Sequence, residues 1–112
     1  MASTNEIWLC DFGEPYPGEP ASLRPALILG PPETFGPVFP FVIVAPLTTS
    51  YRNLPLHIEV EPTAQSGLDL VSYVQCELIR SVNRQRLVHC IGAIGLDASN
   101  DIRNIIMTLL GY

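Results

Sequence analysis

The sequence predicts a mainly β domain, a small antiparallel barrel or twisted sheet closed by one C-terminal amphipathic helix. Short apolar, β-branched runs recur between connections rich in proline and glycine, with 11 Pro and 8 Gly in 112 residues. No strand–helix–strand alternation appears. The hydrophobic period changes only near the C-terminus, where Ile102, Ile105, Ile106, Leu109 and Leu110 fall at i, i+3, i+4, i+7 and i+8.

Residues 6–12 (E-I-W-L-C-D-F) form the first strand, and the prolines and glycines of G-E-P-Y-P-G-E-P forbid regular structure after it. The second strand covers residues 25–30. Arg24 stands directly before Pro25, which disfavours the helical region for its predecessor and holds Arg24 extended at the mouth of an apolar run. A second proline-rich connection, 31–40, leads to residues 41–45 (F-V-I-V-A). This run is apolar throughout, so it is expected to be central and buried on both faces, ending at Pro46 in a hydroxyl cluster of Thr48, Thr49 and Ser50.

Residues 56–61 alternate, with Leu56, Ile58 and Val60 on one face and His57, Glu59 and Glu61 on a solvated one. Residues 72–82 read as a single strand, Asn83 as the cap of a short helical turn, and residues 88–94 as the last strand. The terminal helix is expected to start at Asp97 or Ser99 and to stop at Gly111. Roughly five or six strands and one helix thus make an SH3-like small barrel or a twisted antiparallel sheet.

Composition bounds the function. Residues 1–112 fit one domain with its own core. Apolar residues make up 47% and charged ones 15%, so some apolar surface is expected to be covered by a partner, and a homo-oligomer follows. No run approaches the roughly 20 apolar residues that span a bilayer, and the N-terminus lacks signal-peptide order, so a cytoplasmic protein without a membrane role is expected. Cys10, Cys76 and Cys90 form no C-x-x-C pair and read as buried free thiols. Two histidines without ligand spacing argue against zinc, and no metal or cofactor is expected.

Eleven carboxylates face six arginines and no lysine, a net charge of −5. That balance disfavours nonspecific coating of nucleic acid but leaves room for a local site, because Arg suits planar, bidentate phosphate contact. The usual enzyme signatures are absent: no phosphate-binding glycine loop, no nucleophile elbow, no H-E-x-x-H.

What remains is Arg24 at the start of the second strand, Thr48 at the end of the third, and Glu77, which interrupts the apolar pattern of residues 74–79. On one rim they supply the parts for metal-free phosphodiester cleavage, provided the substrate brings its own nucleophile, as RNA does with its 2′-hydroxyl. On these residues alone two other readings stand: Arg24 pairs with Glu14 or Glu19 in its own loop, and Thr48 merely ends a strand. In the loops at 13–23 and 48–55, Tyr16, Tyr51, Arg52 and Asn53 are candidates for stacking on or hydrogen-bonding bases, or else ordinary loop residues.

Read in series, N-E-I-W-L-C-D-F at 5–12, P-G-E-P-A-S-L-R-P-A-L-I-L at 17–29, V-A-P-L-T-T at 44–49, L-P-L-H-I-E at 54–59 and C-E-L-I-R-S at 76–81 resemble the MazF/PemK/Kid toxin family. The resemblance implies a homodimeric endoribonuclease of a type II toxin-antitoxin pair. Such a toxin cuts single-stranded mRNA at short sequences without metal, leaves a 2′,3′-cyclic phosphate and a 5′-hydroxyl, stops translation, and is held by a cognate MazE-like antitoxin peptide. Arg24 matches the family's catalytic arginine, Thr48 its catalytic threonine, Glu19 a recurrent acidic loop residue, and Glu77 the carboxylate that acts as base in some members. Thr49 and Arg80 fall in the matched segments and Ser50 directly follows one; all three are expected on RNA with the loop residues. Asn5 stands where the family often has glycine, Leu78 where it has glutamine, and Gln75 where one branch has a second catalytic arginine. Other classes on the same fold are an inactive RNA- or peptide-binding regulator and a gyrase poison related to CcdB.

Overall fold

The computed structural model describes residues 2–14, 17, 22–32, 35–36 and 38–112. Among the described residues seven strands and one α-helix follow in chain order: β1 (Glu6–Asp11), β2 (Leu23–Gly30), β3 (Phe41–Thr48), β4 (His57–Val60), β5 (Ser72–Gln75), β6 (Arg80–Asn83), β7 (Leu87–Ala93) and α1 (Leu96–Leu109). Every pairing is antiparallel, in the order β4-β5-β3-β2-β1-β7, with β6 also on β3. Of the two expected arrangements the open sheet is the one formed, since β4 and β7 end the order without pairing to each other.

β3 runs on through Pro46 to Thr48 instead of ending at residue 45. Its outer edge is shared: Phe41–Val44 pair with β6, and Leu47 and Thr48 pair with β5. Pro46, which has no N–H to donate, falls in the gap between those two ladders, where a missing donor breaks nothing. The same gap explains why residues 72–82 are two strands rather than one. A 3-10 turn at Cys76–Leu78 separates β5 from β6, burying Cys76 and leaving Glu77 exposed.

Period-2 alternation sorts the sheet's side chains into two cores. Ile7, Leu27, Ala45, Leu47 and Val74 face α1, which contributes Ile102 and packs Ile105 and Ile106 against them. Cys10, Ala26, Ile28, Val42, Val44 and Val82 lie on the opposite face with Phe12, and Trp8 packs there. Each fully buried aliphatic side chain contributes about 1.5–3 kcal/mol, so two continuous layers hold the strands' relative register firmly. Within the central run, Phe41 and Ile43 remain 45% and 42% exposed, so β3 is not buried along both faces as expected.

The helix begins two to four residues earlier than the pattern suggests, with Gly95 as N-cap. Ser99 does not cap it; its hydroxyl bonds to Asn5 Oδ1 at 2.9 Å. The stop is at Gly111, whose φ of +82° suits glycine. The Gly111 N–H donates to Thr108 O and the Tyr112 N–H to Met107 O, closing the last turn. Asn83 caps its short turn as expected, accepting from the Gln85 N–H at 2.8 Å. Cys10 and Cys76 are buried thiols, but Cys90 is exposed, because β7 is the terminal strand of the sheet.

Candidate active site

The face opposite α1 carries the polar side chains. β2 pairs with β3 through Ala26–Pro46, and carrying that register two residues onward brings Arg24 level with Thr48. Thr48 is directly opposite Tyr73, and Tyr73 opposite Glu59. Residues directly opposite one another share a face, so Arg24, Thr48, Tyr73 and Glu59 form one row across four strands, about 14 Å long at the usual strand spacing. Tertiary pairing therefore joins side chains from four segments of the sequence.

Arg24 is half-buried and makes no ion pair with any described residue, Glu14 included. Across β1 it is directly opposite Cys10. Burial pushes the Cys10 thiol up to about 11 from an ordinary 9.0, while the guanidinium groups of Arg80 and Arg86 pull against that rise. Both arginines thus act near the position that Arg24 faces. Arg80 lies 5.5 Å from the centre of the Phe12 ring, and Arg86 Nη1 donates to Asp11 O at 3.2 Å. A chain of net negative charge thus concentrates half its arginines around one end of β2. Arg86 was not singled out by sequence; its signal is the N-R-Q-R turn directly after the strand that bears Arg80.

The Thr48 hydroxyl accepts the Ser50 N–H at 3.2 Å. Its own proton is given to no described acceptor, leaving a donor on the rim beside Arg24. Beyond it, Thr49 and Ser50 are exposed, and Tyr51, Arg52 and Asn53 bend into a cleft of about 310 Å³ that His57, Glu59 and Tyr73 also line. Asn53 sits at φ +51°, a left-handed conformation that asparagine tolerates, and its Oδ1 accepts the Tyr51 hydroxyl at 2.8 Å. The Tyr51 and Tyr73 rings lie 5.5 Å apart at 52°. The paired rings give one aromatic face beside polar groups, which suits a flat, hydrogen-bonding ring such as a nucleobase.

His57 is not on a solvated face. Its side chain is 3% exposed, and its Nε2 lies 2.8 Å from Glu77 Oε2, whose side chain is 29% exposed. The alternation is right as to face, since His57 is directly opposite Gln75 in the row next to Tyr73–Glu59. The face itself is covered there, which a strand pattern does not reveal. Glu77 contacts His57, which lies one row along (about 7 Å) and two strands across (about 10 Å) from Thr48, so the carboxylate stands to one side of the Arg24–Thr48 pair. Gln75 is 7% exposed, and its Oε1 and His57 Nδ1 are buried without a partner among the described residues.

Tyr16 and Glu19 lie outside the described residues. Among the described residues, no three His, Cys, Asp or Glu side chains gather as metal ligands would, and no helix is long and apolar enough to cross a membrane. A second cleft of about 310 Å³, between α1 and the sheet, is apolar and contains none of the polar row.

Residues 3–110 match the family described as PemK-like, MazF-like toxin of type II toxin-antitoxin system. A probable endoribonuclease MazF of Mycolicibacterium smegmatis is 39% identical over 54 residues, 47% of this chain and 50% of that protein, so the match spans about half the length of that relative. The solved Mycobacterium tuberculosis toxin MazF-mt6 superimposes with a TM-score of 0.77 at 26% identity, covering 94% of this chain and 95% of the other. An endoribonuclease in complex with its cognate antitoxin, from a mycobacterial species, shares the fold with a TM-score of 0.79 at 22% identity, covering 99% and 96%.

Proposed function

Because the chain belongs to the PemK-like, MazF-like toxin family of type II toxin-antitoxin systems, we propose that it is a metal-independent endoribonuclease that cuts single-stranded mRNA at short sequences and so stops translation and growth. The ribose 2′-oxygen attacks the adjacent phosphorus and the bond from phosphorus to the 5′-oxygen breaks. The products are a 2′,3′-cyclic phosphate and a 5′-hydroxyl. Glu77 takes the 2′-hydroxyl proton, and the departing 5′-oxygen takes one from solvent. Arg24 and Thr48 donate hydrogen bonds to the non-bridging oxygens as negative charge develops on them.

The observation that carries this reading is the register that sets Arg24 beside Thr48, with the guanidinium free of any described carboxylate. Glu19 is assigned a supporting role in the loop before Arg24. Arg80, Thr49 and Ser50 hold the phosphate backbone, while Tyr16, Tyr51, Arg52 and Asn53 read bases in the cleft. The protein works as one cytoplasmic domain, residues 1–112, in a homodimer. The apolar cleft beside α1, with Ile43, Met107 and Leu110 exposed near it, supports a second copy there. A cognate MazE-like antitoxin peptide holds it inactive, as the complex of the structural relative suggests.

The test is purified protein on long single-stranded RNA in EDTA, with the cut ends mapped and Arg24→Ala run beside it. Discrete 5′-hydroxyl ends, lost in the variant, are expected. Intact RNA with the wild-type protein overturns the reading.

A further inference from the structure

We propose that His57 is a positioning residue for this reaction: its imidazole grips one carboxylate oxygen of Glu77 and leaves the other for the ribose proton. The proposal rests on the ribonuclease reading above. A carboxylate is an acceptor only, so across the 2.8 Å contact His57 Nε2 carries the hydrogen and Glu77 Oε2 receives it. The two partners are unequal. The imidazole is 3% exposed on a paired strand, its backbone fixed by register with Gln75 and by an N–H bond to Leu54 O at 3.0 Å. The carboxylate is 29% exposed on a 3-10 turn at the end of β5. The fixed group is therefore the ring, and the group it orients is the carboxylate.

A free glutamate side chain samples many rotamers, and holding a catalytic group in one of them lowers the barrier by removing that freedom beforehand. With Oε2 occupied, Oε1 is the oxygen left to receive the proton as the bond from the 2′-oxygen to phosphorus forms. Packing does not account for the imidazole. Its Nδ1 is buried without a partner among the described residues, and so is Oε1 of the directly opposite Gln75. A histidine kept for stability alone satisfies both nitrogens, and an apolar residue in its place leaves fewer orphaned atoms.

The test uses the full chain on a short single-stranded RNA containing the mapped cut site. His57→Leu is expected to lower kcat roughly 10- to 100-fold with KM changed less than about 2-fold, the signature of lost positioning rather than lost binding. His57→Gln, whose amide can still donate toward Glu77, is expected to recover kcat to within about 5-fold of wild type. In a Glu77→Ala background, His57→Leu is expected to add less than about 2-fold, because the pair acts as a unit. An unchanged kcat in His57→Leu, a glutamine variant as poor as the leucine one, or a full additional loss on top of Glu77→Ala each overturns the proposal.

Nitrogen-15 NMR of the wild-type imidazole is independent of whether His57→Leu folds. The protonated nitrogen is expected to be Nε2, with a shift that moves in Glu77→Ala. A ring protonated only at Nδ1, or one indifferent to Glu77, overturns the proposal. Wild-type protein that leaves RNA intact overturns the ribonuclease reading and this role with it. Cleavage that is indifferent to His57 overturns this role alone.

Discussion

Thr48 and Tyr73 are directly opposite each other across β3 and β5. The hydroxyl proposed to reach phosphate and the ring proposed to reach a base thus share one face, next to each other. Tyr73 also pairs its ring with Tyr51 at 5.5 Å.

Removing the aromatic wall should therefore weaken binding before chemistry. Stacking on an aromatic side chain is worth about 1–3 kcal/mol per base, so Tyr73→Ala is expected to raise KM roughly 5- to 100-fold while kcat stays near wild type. Tyr73→Phe keeps the ring and should keep KM. Steady-state kinetics on a short RNA checks this, and a fall in kcat alone would contradict it.

The guanidinium cluster predicts a salt effect in a chain whose net charge is −5. Each phosphate contact to a single strand contributes a slope of about −0.7 in log affinity against log salt. Arg86, which acts beside Arg80 on the Cys10 thiol, should account for one such contact. Arg86→Ala is expected to make the slope shallower by about 0.7, measured by fluorescence anisotropy of a labelled RNA across a salt series. An unchanged slope would take Arg86 out of the phosphate path.

For Thr48 the expected cost is large and specific. Removing one preorganised donor from a developing oxyanion costs about 10²–10³ in kcat, so Thr48→Ala should lose that much and Thr48→Ser should recover part of it. Single-turnover cleavage with bound RNA separates this from binding. Serine and alanine variants equally impaired would argue that the methyl group, and so packing, is what matters.

Burial raises the Cys10 and Cys76 thiols from 9.0 to about 11 each. The folded state therefore prefers the neutral thiol, and above pH 9 the unfolded chain ionises first. Stability from this source is complete below pH 9 and is lost as pH rises toward 11, up to about 2–3 kcal/mol per thiol. Urea melts at pH 8 and pH 10.5 should show that fall, and replacing both cysteines by alanine should flatten it. Iodoacetamide should label the exposed Cys90 alone in the native protein. Native labelling at Cys10 would contradict its burial.

The sequence disclosed most of the fold because local signals agreed with tertiary need. The apolar run after Pro25, the cap at Asn83 and the glycine stop at residue 111 each act within a few residues, and the structure uses all three. The break at Cys76–Leu78 was hidden, because what splits residues 72–82 is that β3 offers them two separate stretches of edge. Pro46 was misread for the same reason: its tolerance depends on a gap between neighbours that no local pattern shows.

The site divides along the same line. Arg24 and Thr48 were legible as polar residues flanking buried strands, and the register brings them level. His57 was assigned to the right face and the wrong environment, since alternation tells which way a side chain points and not what covers it. Arg86 was missed because its nearness to Cys10 joins segments far apart in the chain.

In the proposed reaction the substrate supplies its own nucleophile. The most direct measurement is cleavage of a short RNA carrying one 2′-deoxyribose at the nucleotide 5′ to the mapped cut, compared with the all-ribose strand. The deoxy strand should bind comparably and remain whole, while the all-ribose strand yields a 2′,3′-cyclic phosphate and a 5′-hydroxyl. Cleavage of both strands at equal rates would contradict attack by the 2′-oxygen and the roles assigned to Arg24, Thr48 and Glu77.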